Sequence, residues 1–269
     1  MTNLMQRFDM RGSVAVVTGA VGFLGQKHCE ALAEAGANVV ALDLDVLGAN
    51  TLAERLNAEY GGEAIGMGCD ITDEASVDEA TTRIMASFGR IDALVNNARK
   101  LPTAADVVSF EDLSIDSVRR DLRVTIEGTL LCSQKMGARM AQAGGGSIVN
   151  ISSMYGLVAP NLRMYEELGV PVGVPMSYSI GKSALIGMTK HLAAYWGKQN
   201  VRVNLLAPGG VRSEGRQSEE FVAAYAERTP LARMSRDDEL KGAIVFLCSQ
   251  ASSYMTGANL VIDGGWTAW

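Results

Sequence analysis

Cysteine, histidine and proline are scarce in this chain, and long apolar runs are missing. The four cysteines, Cys29, Cys69, Cys132 and Cys248, lie far apart, form no CxxC pair and sit in apolar runs. They read as buried free thiols in a reducing cytoplasm, which excludes a disulfide framework. The two histidines, His28 and His191, have no ligand-like neighbours, so no metal centre is expected. No stretch approaches the roughly 18 apolar residues that a membrane span needs. The opening "MTNLMQRFDMRG" has neither the apolar core nor the cleavage pattern of a secretory leader. Basic residues are outnumbered, 24 to 30, for a formal net charge of −6. That excludes the basic face of a general nucleic-acid binder and leaves room for a local basic pocket. There is no internal repeat, low-complexity tract or linker.

What is present is a chain of 269 residues, 48% hydrophobic, enough for one large domain over 1–269 with a sizeable core. "SVAVVTGA" is an apolar β-branched run and predicts a buried strand. "FLGQKHCEALAEAGA" follows with helical spacing, Leu24, Cys29, Leu32 and Ala33 sharing a face and Gly36 as its stop. "NVVALD", "EAIGMGCD", "DALVNN", "GSIVNIS", "VRVNLLA" and "ANLVID" read as further strands. Helices are predicted at "VLGANTLAERLNAEYG", "EASVDEATTRIMASFG", about Ser114 to Met140, "SYSIGKSALIGMTKHLAAYWGKQ" and "RDDELKGAIVFLCS". The alternation predicts an α/β fold: one doubly wound, parallel, Rossmann-type sheet of about seven strands with helices on both faces.

Gly19, Gly22 and Gly25 in "TGAVGFLG" lie where the first strand turns into the first helix. Such a turn brings backbone close to a pyrophosphate, and the helix start offers free N–H groups and partial positive charge. Tight strand–helix packing also uses such glycines; Asp43, closing the second strand 18 residues beyond Gly25, favours the nucleotide. A carboxylate there accepts both hydroxyls of an adenosine ribose and repels a 2′-phosphate. Leu44 follows it and no Arg or Lys stands nearby, so the expected cofactor is NAD.

Tyr178 and Lys182 are four apart in a helical stretch and share a face. A free phenol, with a pKa of about 10, is a poor base near neutrality, but a cation one turn away favours the phenolate. The pair suits proton exchange with a carbinol oxygen while hydride passes to a nicotinamide. Tyr155 and Tyr165 have Ala159 and Gly169 at the corresponding position and lack that assistance. They read as packing residues or as a cover over the site.

Taken with "CDIT" at 69–72, "NNA" at 96–98, "NISSMYG" at 150–156, "YSIGK" at 178–182, "RVNLLAPGGV" at 202–211 and "YMTGANLVIDGG" at 254–265, the chain resembles the short-chain dehydrogenase/reductase family over nearly its whole length. The resemblance implies that Tyr178 is the acid/base, that Lys182 assists it and holds the nicotinamide ribose, and that Ser153 polarises the substrate carbonyl. It further implies that Gly19, Gly22, Leu24 and Gly25 form the phosphate loop, that Asp70 and Ile71 flank the adenine, that Asn97 lies against the cofactor, and that Val211 with Ser213 holds the carboxamide.

Three departures stand out. Phe23 replaces a glycine of the usual TGxxxGxG, giving the spacing TGxxGxxG. Arg99 follows "NNA" where glycine is usual. Thr125 holds the place of an Asn that normally supports a proton-relay water. The stretch from Ser153 to Tyr178 is also about twice the usual length, with a substrate-loop insertion at about 157–177. Its "YG-V-P---R-YE" pattern, Tyr155 to Glu166, resembles a subgroup linked to surface-polysaccharide and sugar-acid biosynthesis. That implies a sugar-like or sugar-acid substrate, with Arg99, Lys100, Arg163 and Tyr165 as candidate contacts.

The leading expectation is an NAD-dependent oxidoreductase interconverting a secondary alcohol and a ketone. One rival is a cofactor-binding redox sensor or scaffold with little catalysis, favoured by Thr125 and Phe23 and opposed by the intact Ser153, Tyr178 and Lys182. The other is a nucleotide-sugar epimerase or dehydratase, favoured by the glycine spacing and opposed by chain length. Relatives associate through the helices at about 114–140 and 178–197, and Trp266 and Trp269 near the end would be exposed in a monomer. A homotetramer is therefore expected.

Overall fold

The computed structural model describes residues 3–103, 106, 108–169 and 174–269. Seven parallel strands form its sheet: β1 (Val14–Thr18), β2 (Asn38–Asp43), β3 (Ala64–Gly68), β4 (Ala93–Asn96), β5 (Gly146–Ile151), β6 (Val201–Pro208) and β7 (Asn259–Ile262). Their spatial order is β3-β2-β1-β4-β5-β6-β7. The chain winds outward one way from β1, returns to its other side at β4, and continues the other way. The carboxyl ends of β1 and β4 flank this reversal, the place where such sheets leave a crevice. β1 pairs with both neighbours, Val16 lying opposite Val40 and Leu94.

Burial on both faces is why the strands read as continuous apolar runs. Along β1, Ala15 and Val17 join the core on one face, with Cys29, Leu32 and Ile244. Val14 and Val16 join the opposite core, with Ile84, Met136 and Trp196. The covering helices are α1 (Phe23–Glu34), α2 (Val46–Glu59), α3 (Glu74–Phe88), α4 (Ile115–Leu122), α5 (Thr129–Gln142), α6 (Leu162–Glu167), α7 (Met176–Trp196), α8 (Glu219–Glu227) and α9 (Lys241–Cys248). Asp45 caps α2 by accepting from Gly48 N–H, and Asp73 caps α3 by accepting from Ala75 N–H.

The structure departs from the sequence expectations at several elements. The helix expected over Ser114 to Met140 is two helices, α4 and α5, joined by a wider π-helical turn at Arg123–Gly128. The helix expected over "RDDELKGAIVFLCS" begins only at Lys241. Two helices went unread. Asn161 caps α6 through Met164 N–H and Ser218 caps α8 through Phe221 N–H. Both are short, so periodicity was weak, although Ser218 followed by Glu219 and Glu220 is a helix-start signature. Within the expected insertion, residues 170–173 lie outside those described. No described helix is long and apolar enough to cross a membrane.

Polar residues in the core tie the layers together. Asn96 on β4 donates to Ser133 on α5 (3.0 Å) and to Asn150 on β5 (2.9 Å), and Asn150 donates to Thr189 on α7 (2.9 Å). Such a network fixes register as well as adding stability, because each buried group is costly if unpaired. His28 is fully buried on α1 with neither ring nitrogen hydrogen-bonded among the described residues. Burial lowers its pKa to about 3, so it packs as a neutral ring.

The expectation that Trp266 is exposed in a single chain is incorrect. Its ring is 7% exposed and stacks on Tyr225 at 4.5 Å, whereas Trp269 is 80% exposed. Trp266→Ala is expected to cost about 3 kcal/mol or more, and Trp269→Ala to stay within about 0.5 kcal/mol. Urea unfolding checks this; equal costs would contradict the packing of Trp266.

Candidate active site

The carboxyl ends of β1, β4, β5 and β6 bring the glycine loop, Asn97, Ser153 and Val211 to one side of the sheet. In the loop, a Cβ added to Gly25 would lie 2.1 Å from Gly19 O, and one added to Gly19 would lie 2.7 Å from Ala98 Cα. Only glycine permits this backbone-on-backbone approach. Gly22 precedes α1 and no side chain caps that helix start, leaving its first N–H groups for a ligand. Leu24 lies half-buried in the first turn. Phe23, in the place of a glycine, carries the Arg216 guanidinium 5.5 Å from its ring centre.

Asp43 sits at the end of β2, its carboxylate accepting from Val21 N–H (2.9 Å) and Asp45 N–H (3.1 Å). The neighbouring positions 20, 21 and 44 hold Ala, Val and Leu. Asp70 is exposed after β3 and accepts from the backbone and hydroxyl of Thr72. The Ile71 side chain instead faces the core, in the space beside Gly128. Asn97 braces the loop, donating to the carbonyls of Thr18 and Gly19 at 3.0 Å each. Beyond β6, the Gln217 side chain donates to Val211 O (3.2 Å) and accepts from Ser213 N–H (2.9 Å). A primary amide thus occupies the groups that the family resemblance assigns to a nicotinamide carboxamide. With the glycine cradle and Asp43, these residues fit a dinucleotide.

Ser153 is buried just after β5, at the start of a 3-10 turn, Met154–Gly156. Its Oγ accepts from Tyr155 N–H (3.2 Å), leaving the hydroxyl proton free to donate. Tyr178 and Lys182 rise from α7. Lys182 is buried, and its Nζ donates to Ile151 O at 2.7 Å. The Nζ also lies 5.7 Å from the Tyr178 ring centre, and the Arg99 guanidinium lies 5.3 Å from it. Burial, then the Arg99 charge, pushes the Lys182 ammonium down to about 7, and Asp121 opposes the shift. Thr125 is buried in the π-helical turn against Gly181, where an added Cβ would come within 3.0 Å of its methyl. Asp121, a helical turn before Thr125, accepts from the Ser177 hydroxyl at 2.6 Å.

Ser153, Tyr178, Arg99 and Asp121 border a cavity of about 320 Å³, with Tyr155, Tyr165, Phe221 and Tyr225 also among its walls. Asp121, Gln217 and Tyr225 escaped the sequence reading. The four-residue spacing from Asp121 to Thr125 was the one available signal. The Tyr155 and Tyr165 hydroxyls bond to each other at 3.1 Å. Burial raises the pKa of both, and that of Tyr225 to about 12, so these three keep their protons. Two expected substrate contacts differ from Arg99: Lys100 borders the cavity but is engaged, and Arg163 is not among the residues that line it. Lys100 is paired with the buried Asp106 at 2.6 Å, and Arg163 is exposed on α6 away from the cavity walls. The bonds from Lys100, Ser117 and Thr103 hold the Asp106 carboxyl far below the usual range.

A family profile described as enoyl-(acyl carrier protein) reductase matches residues 19–267. The D-threitol dehydrogenase of Mycolicibacterium smegmatis is 38% identical over 97% of this chain and 95% of its own. The chain belongs to the short-chain dehydrogenase/reductase family. The trans-4-hydroxycyclohexanecarboxylate dehydrogenase of Sinomonas cyclohexanicum is 36% identical over 95% of this chain and 93% of its own. A gluconate 5-dehydrogenase of Burkholderia cenocepacia, solved with NADP and tartrate, superposes with a TM-score of 0.89 at 31% identity, covering 99% of this chain and all of the other. This member of the family is accordingly an oxidoreductase.

The buried ammonium makes a pH-dependent demand on the cofactor-free fold. The folded value of Lys182, about 7, lies below the ordinary 10.5, so the unfolded chain holds more protons between them. The cost of charging Lys182 is complete below pH 7 and fades as pH rises through that window. Lys182→Met is therefore expected to gain more stability, relative to the natural chain, at pH 6 than at pH 9. Urea unfolding at both pH values checks this; a flat or reversed difference would show that Lys182 titrates normally.

Proposed function

We propose that this protein is an NAD(H)-dependent dehydrogenase that interconverts a secondary alcohol and a ketone on a small sugar-like or sugar-acid substrate. The observation that carries the reading is the meeting of Ser153 and Tyr178 in one cavity, with Lys182 against the Tyr178 ring. Ser153 donates to the substrate oxygen and fixes its position. Tyr178 exchanges the proton with that same oxygen. Positive charge on Lys182, packed against the ring, stabilises negative charge on the phenol oxygen. Lys182 also holds the nicotinamide ribose, and Thr125 with Asp121 supplies polar contacts between Lys182 and solvent. When bound, the nicotinamide supplies the acceptor or donor of the hydride.

Asp43 favours NAD: it accepts from the ribose hydroxyls, and no cation at positions 20, 21 or 44 offsets its repulsion of a 2′-phosphate. Gly19, Gly22, Leu24 and Gly25 take the pyrophosphate, Asp70 and the backbone at Ile71 the adenine, Asn97 the inner ribose side, and Val211 with Ser213 the carboxamide once Gln217 yields. The pattern from Tyr155 to Glu166 supports a sugar-acid substrate, as do the gluconate enzyme and its bound tartrate. The reading takes the chain as one domain that works in the cytoplasm as a homotetramer. Exposed Ile115, Leu130, Ile180 and Tyr195 on α4, α5 and α7 support that assembly.

Tyr178→Phe is expected to lower turnover about 10²- to 10⁴-fold while NAD affinity stays within about twofold of the natural chain, because only the hydroxyl is lost. Steady-state rates with calorimetric NAD titration test this, and unchanged turnover would bring forward the cofactor-binding, non-catalytic alternative. NAD(H) is expected to bind at least tenfold more tightly than NADP(H), about 1.4 kcal/mol, with Asp43→Ala narrowing the gap. Equal affinities in the natural chain would reject the assignment. Light scattering at micromolar concentration is expected to give a tetramer mass.

A further inference from the structure

Charge in the cavity is almost fully accounted for. Lys100 and Asp106 neutralise each other. Asp121 is bonded to Ser177 and lies within reach of the Lys182 charge. Among the charged side chains that line the cavity, Arg99 is the one left over: no carboxylate lies within ion-pair distance of it among the described residues. Its guanidinium hangs over the Tyr178 ring, held by a cation–π contact. Such a contact at an exposed site is weaker than the paired hydrogen bonds a bidentate carboxylate offers a guanidinium. Arg99 therefore has capacity for an anion, and that capacity opens into the cavity that it borders.

Apolar surface also lines this cavity. Met154, Val174, Phe221 and Met234 present apolar surface. The hydroxyls of Tyr155 and Tyr165 are already joined to each other, and that of Tyr225 accepts from Gly210 N–H at 2.7 Å.

We propose that the substrate is a small hydroxy acid, sugar acids included: Arg99 takes its carboxylate, Tyr178 and Ser153 take its secondary carbinol, and the Met154–Phe221 surface packs against the carbon between. This rests on the dehydrogenase reading above for the fate of the carbinol, and on Arg99 and that surface for the rest. The carbinol gives its O–H proton to Tyr178 and its C–H hydrogen, with the bonding pair, to the oxidised nicotinamide. A ketone remains, and the carboxylate is unchanged. Arg99 selects which alcohol reaches Tyr178.

The experiment separates anion recognition from turnover. Cyclohexanecarboxylate has no carbinol and cannot be oxidised; cyclohexanecarboxamide is its neutral counterpart. Titrated into the NADH-bound full chain, the carboxylate is expected to bind at least tenfold more tightly than the carboxamide. Arg99→Gln is expected to reduce that preference to about twofold or less, and Arg99→Lys to keep part of it. Equal binding by the natural chain, or a preference that survives Arg99→Gln, overturns the proposal. In turnover, Arg99→Gln is expected to lower kcat/KM at least tenfold for cyclic hydroxy acids and to leave the matching hydroxy amides within threefold. Equal losses for acids and amides, with a shifted pH profile, would place the action of Arg99 on Tyr178 and overturn the anchor. Failure to oxidise any secondary alcohol, with carboxylate preference intact, would reject the dehydrogenase reading and leave the Arg99 site standing.

Discussion

The site depends on one buried ammonium. Lys182 has no carboxylate within ion-pair distance among the described residues, yet it lies out of solvent with its Nζ on Ile151 O. Removing a cation from water without a counter-ion is costly, and the chain meets that cost with a reciprocal clamp. Ile151 O accepts from Lys182 Nζ, and Lys182 O accepts from Ser152 Oγ, each at 2.7 Å. Strand β5 and helix α7 are thereby locked at the level where β5 ends. Ser183 adds a bond to Gly156 O at 3.0 Å. Ser153 and Tyr178 face one cavity because the residues beside them are pinned to each other.

The same lock sorts the tyrosines. Four of them line the cavity, but only Tyr178 has cations against its ring. Tyr155, Tyr165 and Tyr225 are held in their protonated forms by burial, and their hydroxyls serve as structural bonds. Tyr225 is in turn backed by Trp266, so the final residues of the chain support the cavity from behind. Chemically equivalent phenols take different work from their surroundings, as carboxylates do in other sites.

Departures from the family pattern also acquire physical content. Phe23, where glycine is usual, carries Arg216 and so ties the loop after β6 to the glycine turn. Gln217 in that same loop engages Val211 and Ser213 with its own amide. Thr125 lies at a break in helical regularity, and such breaks gather at functional sites. Its neighbour on the same face, Asp121, is a carboxylate directed at α7.

Much of the fold was legible before any coordinates. Strands buried on both faces must be apolar runs, and helices between them must repeat near 3.6, so the alternation of "SVAVVTGA", "NVVALD" and "DALVNN" with helical segments determined a parallel α/β sheet. The glycine turn, Asp43 and the Tyr178–Lys182 spacing were readable because each is a local constraint, set by neighbours within a few turns of chain. Tertiary structure alone decided the rest. Lys100 and Arg163 looked equivalent to Arg99 as sequence; only Asp106, brought in by the fold, neutralises Lys100, and only the direction of α6 leaves Arg163 outside. Trp266 looked terminal and exposed until Tyr225 was found against it. Which charge remains unpaired, and which phenol lies beside a cation, depends on long-range contacts, and spacing along a sequence carries no distance between residues that meet only through the fold.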